Sequence, residues 1–177
     1  MREVLRALRF AAERHSEQRR KDAKETPYVN HLIVVADSLA EVAGVVDVTT
    51  LQAAILHDAV EDTNTTLDEI ERLFGAEVRG IVAEVSDDKT LPKQERKRLQ
   101  IVHASGLSRP AKLIKIADKS ANVHDISHTP PPGWPLERRL EYLEWAEDVV
   151  AGCRGVSREL EAYFDRTLAD GRRILGD

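Results

Sequence analysis

The segment ILHDAVED, residues 55–62, places four ionisable side chains among neighbours that favour burial. The four are His57, Asp58, Glu61 and Asp62. On a helix, successive residues turn by about 100°, so these side chains would share one arc of its surface. Three carboxylates held this close would repel one another unless a proton or a cation lay between them. The pattern therefore predicts a divalent metal ion bound inside the protein.

Two further polar residues lie in segments that otherwise favour the core. His31 stands at the start of the apolar stretch YVNHLIVVADSLA, and Asp118 follows the largely apolar run of residues 113–117. With His57 and Asp58 they offer two nitrogen and two oxygen ligands, a set that suits manganese, iron or zinc better than calcium. Each residue alone has a structural explanation as a satisfied core histidine or an ion-paired acid. Because all of them occur in segments that are predicted to be buried, a shared metal site is favoured over these separate explanations.

The elements that must position these residues are helices. Apolar residues recur at spacings of three and four along most of the chain, and the alternation typical of strands is nearly absent. The sequence predicts an all-α, single-domain bundle over residues 1–177, with the metal-site core in about 10–126 and C-terminal helices in 136–170. The predicted helices are residues 2–18, 28–43, 50–62, 66–74, 76–86, 92–104, 109–126, 136–152 and 156–170, with Thr49 and Thr66 as caps.

Length and composition limit the class of protein. A chain of 177 residues that is 42% hydrophobic and 32% charged can bury a sizeable core. The N-terminus lacks the apolar stretch of a signal peptide, and no segment approaches membrane-spanning length. The single cysteine, Cys153, cannot form an internal disulfide, so we expect a cytoplasmic protein. The net charge of −5 disfavours nucleic-acid duplexes as partners.

The segment HTPPPGWP, residues 128–135, is the strongest break in the helical pattern. Three consecutive prolines remove amide donors and forbid a helix here. We interpret the segment as a rigid surface connection in preference to a functional lip that carries Trp134, because such loops are common and need no ligand.

The order of His31, His57-Asp58 and Asp118 resembles that of the HD superfamily of metal-dependent phosphohydrolases. Longer blocks make the chain similar to the hydrolase domain of the RelA/SpoT alarmone enzymes, and above all to their stand-alone small form, the metazoan SpoT homologues. These blocks include RRKD at 19–22, TPYVNH at 26–31, LQAAILHDAVEDTNTTLDEIERLFGAEV at 51–78 and AKLIKIADKSANVHDI at 111–126. The chain departs from the family at Ser120, where leucine is usual, and at His124, where arginine is often found.

The resemblance implies an HD-type bundle with a manganese-dependent 3′-pyrophosphohydrolase activity on guanosine tetra- and pentaphosphate. By this resemblance one Mn²⁺ is held by His31, His57, Asp58 and Asp118. Glu61 and Asp62 then orient the attacking water and accept its proton. The residues that the resemblance or their charge directs to the substrate are Arg20, Lys21, Tyr28, Lys93, Lys97 and Asn122. Arg96 and Arg98 add cations to the same basic stretches.

Three other functions remain open at this point. Another nucleotide such as NADPH, which carries a sugar phosphate, is an alternative substrate for an HD phosphohydrolase. A catalytically idle nucleotide-binding module would keep the fold, although it would not need Glu61 and Asp62. A structural bundle with buried ion pairs would bind no metal. We expect a monomer or a weak homodimer.

Overall fold

The computed structural model describes residues 1–176, and all regular elements in this range are helices. The ten helices are α1 (Arg2–Arg14), α2 (Val29–Glu41), α3 (Val48–Leu56), α4 (Ala59–Asp62), α5 (Leu67–Phe74), α6 (Ala76–Val85), α7 (Lys93–Ala104), α8 (Arg109–His128), α9 (Leu136–Cys153) and α10 (Arg158–Leu175). The prediction of an all-α bundle is confirmed. Within the described range, none of the helices combines the length and apolar character needed to cross a bilayer.

Helix α8 lies at the centre of the bundle. It packs against α2, α9 and α10, and its residues Leu113, Ile114, Ile116 and Val123 are fully or almost fully buried. Burying each such side chain contributes roughly 1.5–3 kcal/mol. Because apolar residues surround it in this helix, Asp118 is carried into the interior, where only 8% of its surface remains exposed.

Helices α2 and α3 bring the two histidines to the same place. Leu32, Val35 and Leu39 bury one face of α2 completely, which holds His31 in the first turn of that helix against the core. Helix α3 packs on α2 and α8, and His57 follows directly after its last residue. Three helices therefore converge on the position of Asp118.

The predicted helix over 50–62 is wrong in one respect, because it is interrupted at His57 and Asp58. Nδ1 of the His57 ring lies 2.7 Å from the carbonyl oxygen of Ala54, an acceptor that a continuous helix would offer to the amide of residue 58. The backbone of Asp58 relaxes to φ −98° and ψ −4°. The interruption lets the side chains of His57 and Asp58 point to the same site, whereas adjacent side chains on a continuous helix would diverge by about 100°.

Other helix ends also differ from the prediction. Helix α1 stops at Arg14, because the following loop closes on itself through Arg20 N–H to Thr26 O (2.8 Å). The cap of α3 is Asp47, whose carboxylate accepts from the Thr50 amide at 2.8 Å, so the predicted cap at Thr49 is wrong. The cap at Thr66 is confirmed. Helices α8 and α10 run beyond their predicted ends, to His128 and Leu175.

Candidate metal centre

Two imidazoles and two carboxylates meet at the junction of α2, α3 and α8. His31 Nε2 lies 3.2 Å from Asp118 Oδ1 and 3.8 Å from Asp58 Oδ2. His57 Nε2 lies 3.1 Å from Asp58 Oδ2 and 3.8 Å from Asp118 Oδ1. The structure thus brings all four predicted ligands together, and the ligand atoms of His31, His57 and Asp118 lie within 4.8 Å of one another.

The orientation of His57 fits a metal ligand. Its Nδ1 is directed at the Ala54 carbonyl, which fixes the proton there in the neutral ring and leaves a lone pair on Nε2. That Nε2 atom is buried and faces Asp58 Oδ2 at 3.1 Å and Asp118 Oδ1 at 3.8 Å, but neither contact has the geometry of a hydrogen bond. A buried polar atom without a partner is costly, and a cation between the two acids would supply the missing partner. The residues present therefore fit a divalent ion.

The ionisation states of the four side chains also favour a bound cation. Burial acts to raise the pKa of Asp118, but the ammonium of Lys119 and contacts from His31 and His57 hold it well below its usual value. Burial likewise opposes ionisation of Asp58, yet the neighbouring histidines lower its pKa. Burial lowers the pKa of His31, whereas the two carboxylates overcome burial and raise the pKa of His57 to about 10. Two ionised acids in a dry site thus attract a positive charge to it.

Neighbouring side chains hold the two carboxylates in place. Asn122 Nδ2 donates to Asp118 Oδ1 at 2.6 Å, and Lys119 Nζ donates to Asp118 Oδ2 at 2.8 Å. The Tyr28 hydroxyl donates to Asp58 Oδ2 at 2.6 Å. Tyr28 therefore contacts a predicted metal ligand, a role that the predicted contact with the substrate did not include. Sequence reasoning missed Lys119 altogether, although it directly follows Asp118.

We predict that Tyr28→Phe lowers the affinity for a divalent ion by about ten- to a hundredfold, because partners of metal ligands have effects of this size. The hydroxyl that orients Asp58 is lost, while the ring and its packing remain. Titration of chelator-stripped protein with Mn²⁺ measures the change. Tyr163→Phe is the matched control, since its hydroxyl makes no contact with the centre. Equal affinities in the two variants would contradict the prediction.

Glu61 and Asp62 border the same cavity as three of the four predicted ligands. A cavity of about 160 Å³, named here the metal-side cavity, is lined by both acids together with His57, Asp58 and Asp118. Glu61 accepts from the Asp87 amide at 3.2 Å, and its Oε1 lies 3.4 Å from Arg96. Gln18 and Lys89 donate to Asp62. Burial, followed by the charges of Asp87 and Asp58, raises the pKa of Glu61, so its carboxylate is a better proton acceptor than a solvated one.

Two larger cavities adjoin the metal-side cavity and are rich in cations. The Arg20 cavity, about 330 Å³, shares Tyr28, Asp62 and Asn122 with it. The Lys97 cavity, about 570 Å³, shares Gln100 with the metal-side cavity. The cations of the two cavities are Arg19, Arg20, Lys21, Lys93, Arg96, Lys97 and Arg138. Every residue predicted to contact the substrate, namely Arg20, Lys21, Tyr28, Lys93, Lys97 and Asn122, lines at least one of these three cavities.

Two interpretations from the sequence need correction. Arg98 pairs with Glu95 at 2.7 Å on the exposed side of α7 and lines none of the three cavities. The interpretation failed because the sequence pattern did not resolve which side of α7 Arg98 occupies. The proline-rich segment is more than a surface connection, since Trp134 lines both the Arg20 and the Lys97 cavities. The guanidinium of Arg138 stacks on the Trp134 ring at 3.9 Å.

Sequence reasoning also missed several residues that border the centre. Gln18 and Lys89, which donate to Asp62, and Tyr142, which lines the Arg20 and Lys97 cavities, lie in ordinary-looking segments that gave no compositional signal. Lys115 is buried and donates to the Val85 carbonyl at 2.8 Å. A lysine inside an apolar run, as in LIKIA at 113–117, is the one feature that would have pointed to a polar site beneath it.

Comparisons with known proteins identify the fold and the family. The model of the HD domain family matches residues 7–141. The chain is 53% identical to the guanosine-3′,5′-bis(diphosphate) 3′-pyrophosphohydrolase MESH1 of Xenopus tropicalis over 167 residues, or 94% of this chain and 93% of the relative. It is 55% identical to the Homo sapiens MESH1 over 159 residues, or 90% and 89% of the two chains.

A solved structure agrees with these relatives. It is described as a metazoan ortholog of SpoT that hydrolyzes ppGpp and plays a role in starvation responses. The two structures superpose with a TM-score of 0.92 at 48% identity, over 95% of this chain and 94% of the other. The chain therefore belongs to the HD-domain family and, within it, to the group of the metazoan SpoT ortholog.

Proposed function

We propose that this protein removes the 3′-pyrophosphate from guanosine tetra- and pentaphosphate (ppGpp and pppGpp) and releases pyrophosphate with GDP or GTP. The observation that carries the proposal is a buried two-histidine, two-aspartate cluster with Glu61 and Asp62 beside it and cation-rich cavities on either side. The names of the related proteins support the same substrate.

The distribution of cations suits a nucleotide with phosphates at two positions of one ribose. Arg20 and Lys21 line one cavity, while Lys93 and Lys97 line the other, and Lys21 is common to both. Four carboxylates border the metal-side cavity, so a polyanion would be repelled there without these cations. Cations on both sides allow the scissile 3′ group and the 5′ phosphates to be held at once.

A single divalent cation is the cofactor that we propose, held by His31, His57, Asp58 and Asp118. Two carboxylates balance its charge, and the mixed nitrogen and oxygen donors suit Mn²⁺. When bound, such an ion supplies Lewis acidity, which polarises a phosphoryl oxygen and lowers the pKa of water from about 15.7 to about 7.

The chain's own residues account for orientation and proton transfer. Asp62, fixed between Gln18 and Lys89, orients the attacking water, and Glu61 accepts the proton that this water loses. The water oxygen joins the phosphorus atom, and the bond from phosphorus to the ribose 3′-oxygen breaks with its electron pair on that oxygen. The 3′-oxygen then takes up a proton and becomes a hydroxyl, so one water is consumed for each pyrophosphate released. Asn122 donates to Asp118 and accepts from Arg20 at 2.9 Å, so it couples the ligand to a cation of the substrate cavity.

Exchange of Lys97 for glutamine is expected to raise KM for ppGpp by about tenfold or more with a smaller effect on kcat. A hydrogen bond to a charged group contributes about 1.5–3 kcal/mol, and 1.4 kcal/mol is a factor of ten. Steady-state kinetics with Mn²⁺ measures the change. The adjacent Arg98→Gln is the matched control, because Arg98 lies outside the cavities. Equal KM values for both variants would argue against phosphate binding by Lys97.

Substrate identity is tested by incubating the manganese-loaded protein separately with ppGpp and with NADPH. The proposal predicts stoichiometric pyrophosphate from ppGpp. Release of inorganic phosphate from NADPH, with no pyrophosphate from ppGpp, would identify NADPH as the substrate and would leave the metal-site assignment unchanged. If the manganese-loaded protein releases neither pyrophosphate nor inorganic phosphate, it would be a catalytically idle binding module.

The remaining expectations are also proposals. A cytoplasmic location is supported by the single, buried Cys153. We also propose a monomer or a weak homodimer as the oligomeric state. A nucleotide substrate without nucleic-acid or membrane partners is consistent with the net charge of −5. We propose that residues 1–177 act as one domain, since α8 packs on helices from both ends of the chain.

A further inference from the structure

His15 is a buried histidine that is not one of the four proposed metal ligands. It caps the end of α1, and only 2% of its surface is exposed. Its ring stacks on the ring of Tyr28, with centroids 5.1 Å apart and planes 18° apart, and its Nδ1 lies within hydrogen-bond distance of Gln18 Oε1. Because burial of a polar ring is costly unless its contacts offset the cost, these two neighbours indicate what the ring does.

The contact with Asp62 fixes the orientation of the Gln18 amide. Gln18 Nε2 donates to Asp62 Oδ2 at 2.9 Å, and an ionised carboxylate can only accept hydrogen bonds. The amide oxygen Oε1 therefore faces His15. Since this oxygen cannot donate, the hydrogen bond between them requires a proton on His15 Nδ1.

The other nitrogen of the His15 ring agrees with this tautomer. Nε2 is buried and has no hydrogen-bond partner among residues 1–176. A proton on Nε2 would have no acceptor there, whereas a proton on Nδ1 has one in Gln18. The structure therefore favours the Nδ1–H form of His15.

Backbone hydrogen bonds hold this arrangement in place. The Gln18 amide donates to the His15 carbonyl at 3.0 Å, and the Tyr28 amide donates to the Gln18 carbonyl at 3.1 Å. Tyr28 in turn donates from its hydroxyl to Asp58 Oδ2 at 2.6 Å. His15 thus lies behind two residues that hold carboxylates of the centre, Gln18 at Asp62 and Tyr28 at Asp58.

The donor on His15 matters because the Gln18 amide has two possible orientations. If the amide turned over, its oxygen would face the Asp62 carboxylate and its NH₂ group would face the Nδ1–H of His15, so both contacts would be repulsive. Lys89 donates to the other oxygen of Asp62, Oδ1. With the amide held by His15, both oxygens of Asp62 have a fixed donor.

We propose that His15 is a positioning residue for hydrolysis, whose Nδ1–H group holds the Gln18 amide in the orientation that donates to Asp62. The inference rests on the proposed function, because the step that it assists is the orientation of water by Asp62. His15 lines none of the three cavities, so it does not touch the substrate. Its loss is therefore expected to lower kcat and to leave KM nearly unchanged.

Two substitutions of nearly the same shape test the proposal. Asparagine keeps a donor, Nδ2, at the position of Nδ1, and leucine does not. His15→Leu is expected to lower kcat for ppGpp by about three- to tenfold, the effect of one lost hydrogen bond, and His15→Asn to recover most of this loss. His103→Leu, at an exposed histidine of α7, is the control and should keep wild-type kcat. Wild-type kcat in His15→Leu, or equal losses in both His15 variants, would overturn the proposal.

A double-mutant cycle separates positioning from a general disturbance of the fold. Gln18→Met keeps the length of the side chain and removes both polar groups of the amide. If His15 acts through Gln18, His15→Leu should lower kcat no further in the Gln18→Met protein. Losses that multiply in the double variant would show that His15 acts by another route and would overturn the proposal.

The tautomer of His15 is a readout that needs neither metal nor substrate. Nitrogen-15 NMR of metal-free protein with labelled histidine reports which ring nitrogen carries the proton, and the His15 signals are those missing from either His15 variant. We expect the proton on Nδ1, and a neutral ring protonated on Nε2 would overturn the proposal. Wild-type inactivity on ppGpp with manganese bound would end the proposed function instead, and the NMR result would still decide the orientation of Gln18.

Discussion

Asp118→Asn is expected to abolish divalent metal binding at the centre and to lower ppGpp hydrolysis by at least about a thousandfold. The substitution keeps the shape of the side chain but removes the charge that faces both histidines, at 3.2 and 3.8 Å. Loss of a metal's Lewis acidity removes several kcal/mol of transition-state stabilisation, and each 1.36 kcal/mol is a factor of ten.

The same substitution is expected to destabilise the fold. Lys119, 4% exposed, would lose its carboxylate partner at 2.8 Å. Removing one partner of a buried ion pair costs about 3–5 kcal/mol, because the other charge stays uncompensated. Denaturant unfolding without metal measures this loss, and elemental analysis measures the bound ion. Asp148→Asn, an exposed acid on α9, is the control and should change neither quantity. Retained metal in Asp118→Asn would contradict the assignment of this ligand.

Glu61→Gln is expected to lower kcat by about a hundred- to ten-thousandfold while the metal content stays at the wild-type level. A positioned general base contributes rate enhancement of this size. Glu61 borders the metal-side cavity but is not one of the four proposed ligands, so the substitution removes proton acceptance and keeps the cluster. Glu77→Gln, an exposed glutamate on α6, is the control. A Glu61→Gln enzyme with normal kcat would exclude this residue as the base.

The pH profile separates this role from a structural one. Burial raises the pKa of Glu61, so the fraction of wild-type enzyme with an ionised base should fall as pH drops through a value above that of an ordinary glutamate. The Glu61→Gln profile should lack this acidic limb. Ionisation of Glu61 favours activity but lowers stability, because a carboxyl group whose pKa is raised by folding binds more protons in the folded state than in the unfolded state. Its ionised form therefore opposes folding at neutral pH, and we expect Glu61→Gln not to lower Tm.

The sequence predicted which residues meet at the candidate centre because each of them violated the pattern of its own segment. His31, His57-Asp58 and Asp118 are polar residues in stretches that must otherwise be buried, and burial without a partner is costly. Their meeting point followed once the three segments were recognised as packed helices. The interruption at His57 was not predictable from periodicity, since it arises from a side chain directed at its own backbone.

Residues whose roles depend on the neighbouring helix escaped prediction. Lys119 resembled a solvated lysine, yet α8 places it inside, between Asp118 and the Trp145 ring. Arg98 resembled its neighbour Lys97, but the two occupy different sides of α7. Trp134 lines the cavities only because the proline-rich segment folds back beside α9. In each case tertiary packing decides which face a side chain occupies, and this packing could not be predicted from a single sequence.

Pyrophosphate release from ppGpp by chelator-stripped protein, followed as Mn²⁺ is restored in substoichiometric steps, tests the central claim most directly. We predict no release by the stripped protein and release that rises with bound manganese up to one ion per chain. Full release without metal, or none with one manganese bound to His31, His57, Asp58 and Asp118, would contradict it.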